Sequence, residues 1–161
     1  MACRLDGARL AWRIARDTHV ALDGRGAFEH GGRWNSPGRR VVYAGDSFAI
    51  ALLERFVHLP TGRIPRNQVF VQITIPPRVA AEEAALAPAG VGWADGDLIA
   101  SRAYGDAWYD ERRSAVLVVP SVVTRIDHNL LLNPNHPEFA AITVGPPEPV
   151  HWDHRLFRRT P

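Results

Sequence analysis

Arg33, Tyr43 and Glu54 stand ten and eleven positions apart in a stretch, Gly31 to Glu54, that is otherwise mostly small or apolar. All nineteen basic residues of the chain are arginine. That excludes a Schiff-base lysine, a P-loop lysine and a lysine nucleophile, and leaves guanidinium forks or backbone amides to grip any phosphate. Glu54 closes an apolar helical run, so part of its carboxylate is expected to point inward, where it needs an arginine or a ligand beside it. Ser121 follows Val119-Pro120 and offers a hydroxyl at a strand exit. Taken singly, each residue has a plain structural explanation. Arg33 could bridge backbone carbonyls at a turn, Tyr43 could be a core residue with its hydroxyl at the rim, Glu54 could pair with His58 one turn on, and Ser121 could be a turn residue.

These side chains need elements to bring them together. Alternation over Arg9 to Ala15 reads as a half-buried strand, with Leu10, Trp12 and Ile14 on one face and Arg13 facing away from them. Residues 17–32 read as a loop, since Asp23-Gly24-Arg25-Gly26 and Gly31-Gly32 interrupt any period. Asn35-Ser36-Pro37-Gly38 is a turn, and Val41 to Ala44 a short strand after it. Asp46 or Ser47 caps a helix to about His58 that is apolar on nearly every side and so is expected to be buried. Val69 to Ile75 is a strand stopped by Pro76-Pro77. After an alanine- and glycine-rich stretch with a short helix and a surface loop, Asp97 caps a helix to about Arg113 whose middle Gly105 weakens. Ala115 to Val119 is a buried strand. Leu130 to Leu132 leads into a rigid turn at Asn133-Pro134-Asn135-His136-Pro137, and strands follow near 140–144 and 150–152. The expectation is one mixed α/β (α+β) domain over residues 1–161, richer in strand than in helix.

Composition bounds the function classes. A chain of 161 residues is long enough to bury roughly 70% of its unfolded surface, and 46% hydrophobic with 22% charged residues is ordinary for a globular protein. No apolar run approaches the roughly 20 residues of a membrane span, and the N-terminus lacks a signal peptide's apolar core, so the expected location is the cytoplasm. Cys3 alone allows no intramolecular disulfide. The pI is 9.2, yet the net charge is only +2 and the arginines are spread along the chain, which disfavours direct nucleic-acid binding or an RNA-cleaving role. The seven histidines include no metal-binding motif, and no serine sits in a nucleophile elbow. Gly24-Arg25-Gly26 fails as a dinucleotide fingerprint because position 29 is glutamate.

Trp12-Arg13-Ile14, Gly32-Arg33-Trp34-Asn35, Val41-Val42-Tyr43-Ala44, Leu52-Leu53-Glu54, Val119-Pro120-Ser121 and Leu132-Asn133-Pro134-Asn135-His136-Pro137 resemble, in order and spacing, the signatures of the RES-domain toxins. These are the toxin half of bacterial RES-Xre toxin–antitoxin pairs, and the resemblance covers Leu10 to Phe157. It implies a mixed central sheet similar to ADP-ribosyltransferase toxins, and an activity that splits the nicotinamide–ribose bond of NAD+. ADP-ribose would pass to water, to inorganic phosphate as co-substrate, or, as the alternative, to a protein. It further implies NAD+ as substrate with no resident cofactor or metal, and an Xre-like antitoxin as partner whose complex sets the oligomeric state. Carried over by position, the catalytic set is Glu54, Arg33 and Tyr43, and the substrate-binding set is Arg13, Ser121 and Asn133. A carboxylate under the ribose would stabilise an oxocarbenium-like transition state, Arg33 and Arg13 would fork onto the pyrophosphate, Tyr43 would offer nicotinamide a flat face, and Ser121 would offer a hydroxyl. A non-enzymatic binding module is the reading from a different class.

Overall fold

Alternation sorts the apolar side chains of the strands to two faces of one sheet. The computed structural model describes residues 3–4, 7–19, 22–59, 64–84, 92–94, 96 and 98–157. Among them nine strands join: β1 (Cys3–Arg4), β2 (Arg9–Arg16), β3 (Val42–Gly45), β4 (Gln68–Ile75), β5 (Ala80–Glu83), β6 (Val116–Pro120), β7 (His128–Leu132), β8 (Thr143–Val144) and β9 (Glu148–Pro149). Their order is β1-β5-β6-β7-β3-β2-β4-β8, with β9 also on β4. Three α-helices accompany them: α1 (Arg25–His30), α2 (Phe48–Val57) and α3 (Ile99–Asp110). The pairing is antiparallel except between β5 and β6, the geometry of a strand–helix–strand crossover through α3. The mixed α/β class expected from the sequence is the class found.

Val42, Ala44, Val116, Val118, Leu130 and Leu132 pack with Ala11, Val71 and Ile73 on one face. Val41, Leu117, Val119 and Leu131 pack with Trp34, Trp108 and Tyr109 on the other, against α3 and the segment before β3. That segment is clamped to α3 by Arg39 on Asp110 at 2.6 Å and by the Ser36 amide on Asp106 at 2.8 Å. Gly105 is what admits it. A Cβ there would run into the Trp34 carbonyl, so the glycine expected only to weaken α3 is required by a close backbone approach.

One feature of the sheet matters most for the site. β2 pairs with β4 along its whole length but with β3 only at Trp12–Gly45. The two strands part beyond that rung and open a cleft. Over it lies α2, capped by Ser47, whose hydroxyl accepts from the Ile50 amide at 3.1 Å. The expected burial of α2 on all sides does not hold: Ile50 and Ala51 are buried, while Leu53 and Val57 are 36% and 50% exposed, because the helix borders a cleft as well as the core.

Other expectations need correction. Residues 25–30 form a helix instead of loop, and β5 arises from an alanine–glutamate segment that carries no strand signal. Residues 137–141 are a 3-10 helix, so strand begins only at Thr143. Strand ends at Pro149 rather than spanning 150–152, since Trp152 leaves the sheet to pack on Phe56 and Phe157. The predicted cap Asp97 and the segment 85–91 lie outside the described residues.

Candidate active site

The cleft between β2, β3 and α2 encloses about 860 Å³, within the roughly 300–1,000 Å³ of ligand sites. Its lining gathers residues distant in sequence: Arg13 from β2, Arg33 from the turn before β3, Tyr43 from β3, Glu54 and Arg55 from α2, and Asn129 from β7. Glu54 is the single carboxylate among the lining residues, which also include three arginines. Such a cavity favours a ligand with an extended anionic part and one locus of positive charge.

Glu54 is held by two donors on one oxygen. Its Oε1 accepts from Ser121 Oγ at 2.7 Å and from Asn129 Nδ2 at 2.6 Å. Ser121 is fully buried and its hydroxyl also accepts from the Val123 and Thr124 amides at 3.2 and 3.3 Å. The hydroxyl expected to meet substrate is therefore spent on Glu54 and on the following loop. Asn129 was not singled out in the sequence, yet it is the shorter of the two bonds.

Tyr43 lines the cavity with its ring, while its hydroxyl donates to Asn35 Oδ1 at 2.7 Å and accepts from the Trp34 amide at 3.1 Å. Burial, the largest cause, pushes that hydroxyl well above the ordinary tyrosine range, so it stays protonated and structural. Asn35 is itself fully buried, and its amide nitrogen donates to the Ala27 and Ser36 carbonyls at 3.1 and 3.0 Å. Gly32 makes room for this arrangement, since a Cβ there would sit 2.5 Å from the Tyr43 oxygen.

Arg13 follows Ala11 in register against β4, and the gap between β2 and β3 lets its Nη1 donate to the Tyr43 carbonyl at 3.2 Å. Its Nε is buried without a hydrogen-bond partner. Burial lowers the Arg13 pKa, opposed by Asp23, and the guanidinium remains charged. Arg33 Nη1 donates to the Trp93 carbonyl at 3.2 Å, one of the backbone contacts anticipated for an arginine at a turn, while the side chain still borders the cavity. Arg55 was not anticipated. Its Nε donates to Gln68 at 2.9 Å, and burial, then Arg16, lowers its pKa.

Asn133 lies elsewhere. It is fully buried, accepts from the Asn135 amide at 2.9 Å and donates to the Tyr109 carbonyl at 3.4 Å. It organises the turn after β7 and does not border the cleft, which corrects its expected place beside substrate. Among the described residues no three histidine, cysteine, aspartate or glutamate side chains converge as a metal site, and no helix is long and apolar enough to cross a membrane.

Residues 10–153 match the RES domain family. The chain is 40% identical over 155 residues, covering 92% of it and 96% of the relative, to a Sphingobium protein named Prs ADP-ribosylating toxin. It is 33% identical over 151 residues, covering 92% of it and 99% of the relative, to Toxin Res of Pseudomonas putida. The fold is similar to a chain in the crystal structure of the M. tuberculosis MbcT–MbcA toxin–antitoxin complex, with a TM-score of 0.73, 16% identity, and 91% of this chain and 85% of that one covered. The cleft and its arginine–carboxylate lining thus lie within the matched region, and the chain is a member of the RES-domain toxin family.

Proposed function

We propose that this protein cleaves the nicotinamide–ribose bond of NAD+ in the cleft between β2, β3 and α2. The observation that carries the reading is a cavity of dinucleotide scale lined by one anchored carboxylate together with Arg13, Arg33 and Arg55. The pyrophosphate takes the guanidinium groups, where charge-assisted forks fix the substrate. Nicotinamide is already a cationic leaving group, so departure needs stabilisation of the developing ribosyl cation more than it needs an acid. Glu54 supplies that stabilisation electrostatically. The Tyr43 ring gives nicotinamide an aromatic wall, and its bound hydroxyl fixes the ring's orientation.

Release of ADP-ribose to water or phosphate and transfer to a protein share this first step. The leading reading is NAD+ consumption; transfer to a protein is the second reading, favoured by the name of the Sphingobium relative, Prs ADP-ribosylating toxin. A chain with either activity needs a neutralising partner in its own cell, and an antitoxin is the expected one. Incubation with NAD+ labelled in the adenylate part, with and without phosphate or cell extract, separates the outcomes. Free labelled product supports the leading reading and label on protein the second. Intact NAD+ in every arm contradicts both.

A further inference from the structure

The sheet register puts Asn129 directly beneath the cleft. It lies opposite Val119 of β6 and Gly45 of β3, and Gly45 lies opposite Trp12 of β2. These four positions form one row on the cleft side of the sheet, since paired residues of adjacent strands share a face. Gly45 leaves that row open. A Cβ on it would sit 2.6 Å from the Ala51 nitrogen, so the glycine lets α2 settle low enough for Glu54, one turn further along, to reach Asn129.

Both donors to Glu54 fall on Oε1. Among the described residues Oε2 carries no hydrogen bond, and it is the oxygen left to a substrate. An amide N–H can only donate to a carboxylate, and a second donor on the same oxygen fixes the side chain's rotation. Ser121 adds a further link, because its oxygen receives the Val123 and Thr124 amides that begin the loop between β6 and β7.

We infer that Asn129 is a positioning residue, which with Ser121 keeps Glu54 turned so that Oε2 faces the reacting sugar. The inference rests on the proposed cleavage of NAD+. Asn129 acts through Glu54 and does not itself bond the leaving group, so its loss weakens an interaction made in the transition state and leaves ground-state binding intact. The charged and titratable groups that line the cleft with Glu54 are Arg55 of its own helix, His58 at that helix's end, Arg13 of β2, Tyr43 of β3, Arg33 of the preceding turn and His30 of α1. None of these supplies a second carboxylate, so replacing the Asn129 amide by one creates the first carboxylate pair in the cleft.

The test uses Asn129→Asp, which keeps the shape and replaces donor by acceptor, beside Asn129→Ala and wild type. In both variants kcat for nicotinamide release falls about 10²-fold while KM for NAD+ changes less than about threefold. In Asn129→Asp the acidic limb of the kcat–pH profile also moves up by about one unit or more, because two adjacent carboxyls share a proton. Carbon-13 titration of the Glu54 carboxyl needs no turnover, and its midpoint moves up in the same variant. An unmoved midpoint, or a KM rise with kcat unchanged, overturns the inference. Absent wild-type release with the midpoint moved as expected counts against NAD+ cleavage alone.

Discussion

Each functional side chain of the cleft is hydrogen-bonded to a neighbour. Tyr43 shows this most fully: its hydroxyl joins Asn35 and the Trp34 amide, and burial raises its pKa. A folded tyrosine with a raised pKa keeps its proton while the unfolded one loses it above about pH 10. The stabilisation is therefore complete below about pH 10 and is lost as pH rises further, by up to about 1.4 kcal/mol per unit for one proton. Tyr43→Phe is expected to cost about 1–3 kcal/mol at neutral pH by stranding Asn35 and the Trp34 amide, and to flatten the alkaline limb. Urea denaturation from pH 8 to 11 measures both; an unaltered limb would show that another group controls it. For Arg33→Ala, loss of a pyrophosphate fork should raise KM for NAD+ about tenfold or more with a smaller change in kcat, read from initial rates. Arg33, Tyr43 and Glu54 stand out in the sequence by type and spacing and Arg13 through the family resemblance, and all four border the cleft. Asn129 did not, because it opens a strand whose three leucines dominated the pattern. Had alternation been carried back from Leu131, Asn129 would have fallen on the same face.

At the scale of elements, two glycines beyond Gly32 permit close approaches on which the site depends. Gly45 admits α2 onto β3, and Gly105 admits the Trp34 backbone onto α3. Gly105→Ala should raise intrinsic helix propensity yet destabilise the protein by about 1–3 kcal/mol through overpacking, seen as a lower urea midpoint. A gain in stability would contradict the contact. Strong periodicity made β2, β3, β4, β6, α2 and α3 legible, with ends shifted by a residue or more. The elements that were missed lack local signals. α1 has six residues and no buried side chain, and β5 is built from alanine and glutamate, held by partners on both edges, β1 and β6. Strand formation there is a property of the sheet rather than of the segment.

On the scale of the whole molecule, the cleft exists because β2 leaves β3 after one rung and stays with β4, so one sheet presents two walls to α2. Nothing in local sequence encodes that parting. It follows from competition between neighbouring strands, which is why the fold class was legible and the pocket's floor was not. Expression without an antitoxin should arrest growth, and co-expression with the partner should restore it, as followed by culture density; harmless expression of folded protein would count against toxin activity. The central claim is that Glu54 stabilises the ribosyl cation as nicotinamide leaves. Its most direct test is nicotinamide release from NAD+ by wild type and Glu54→Gln, with matching circular dichroism spectra to show an intact fold. The account predicts steady release by wild type and a loss of about 10²–10³-fold in the variant; equal rates from the two proteins would contradict it.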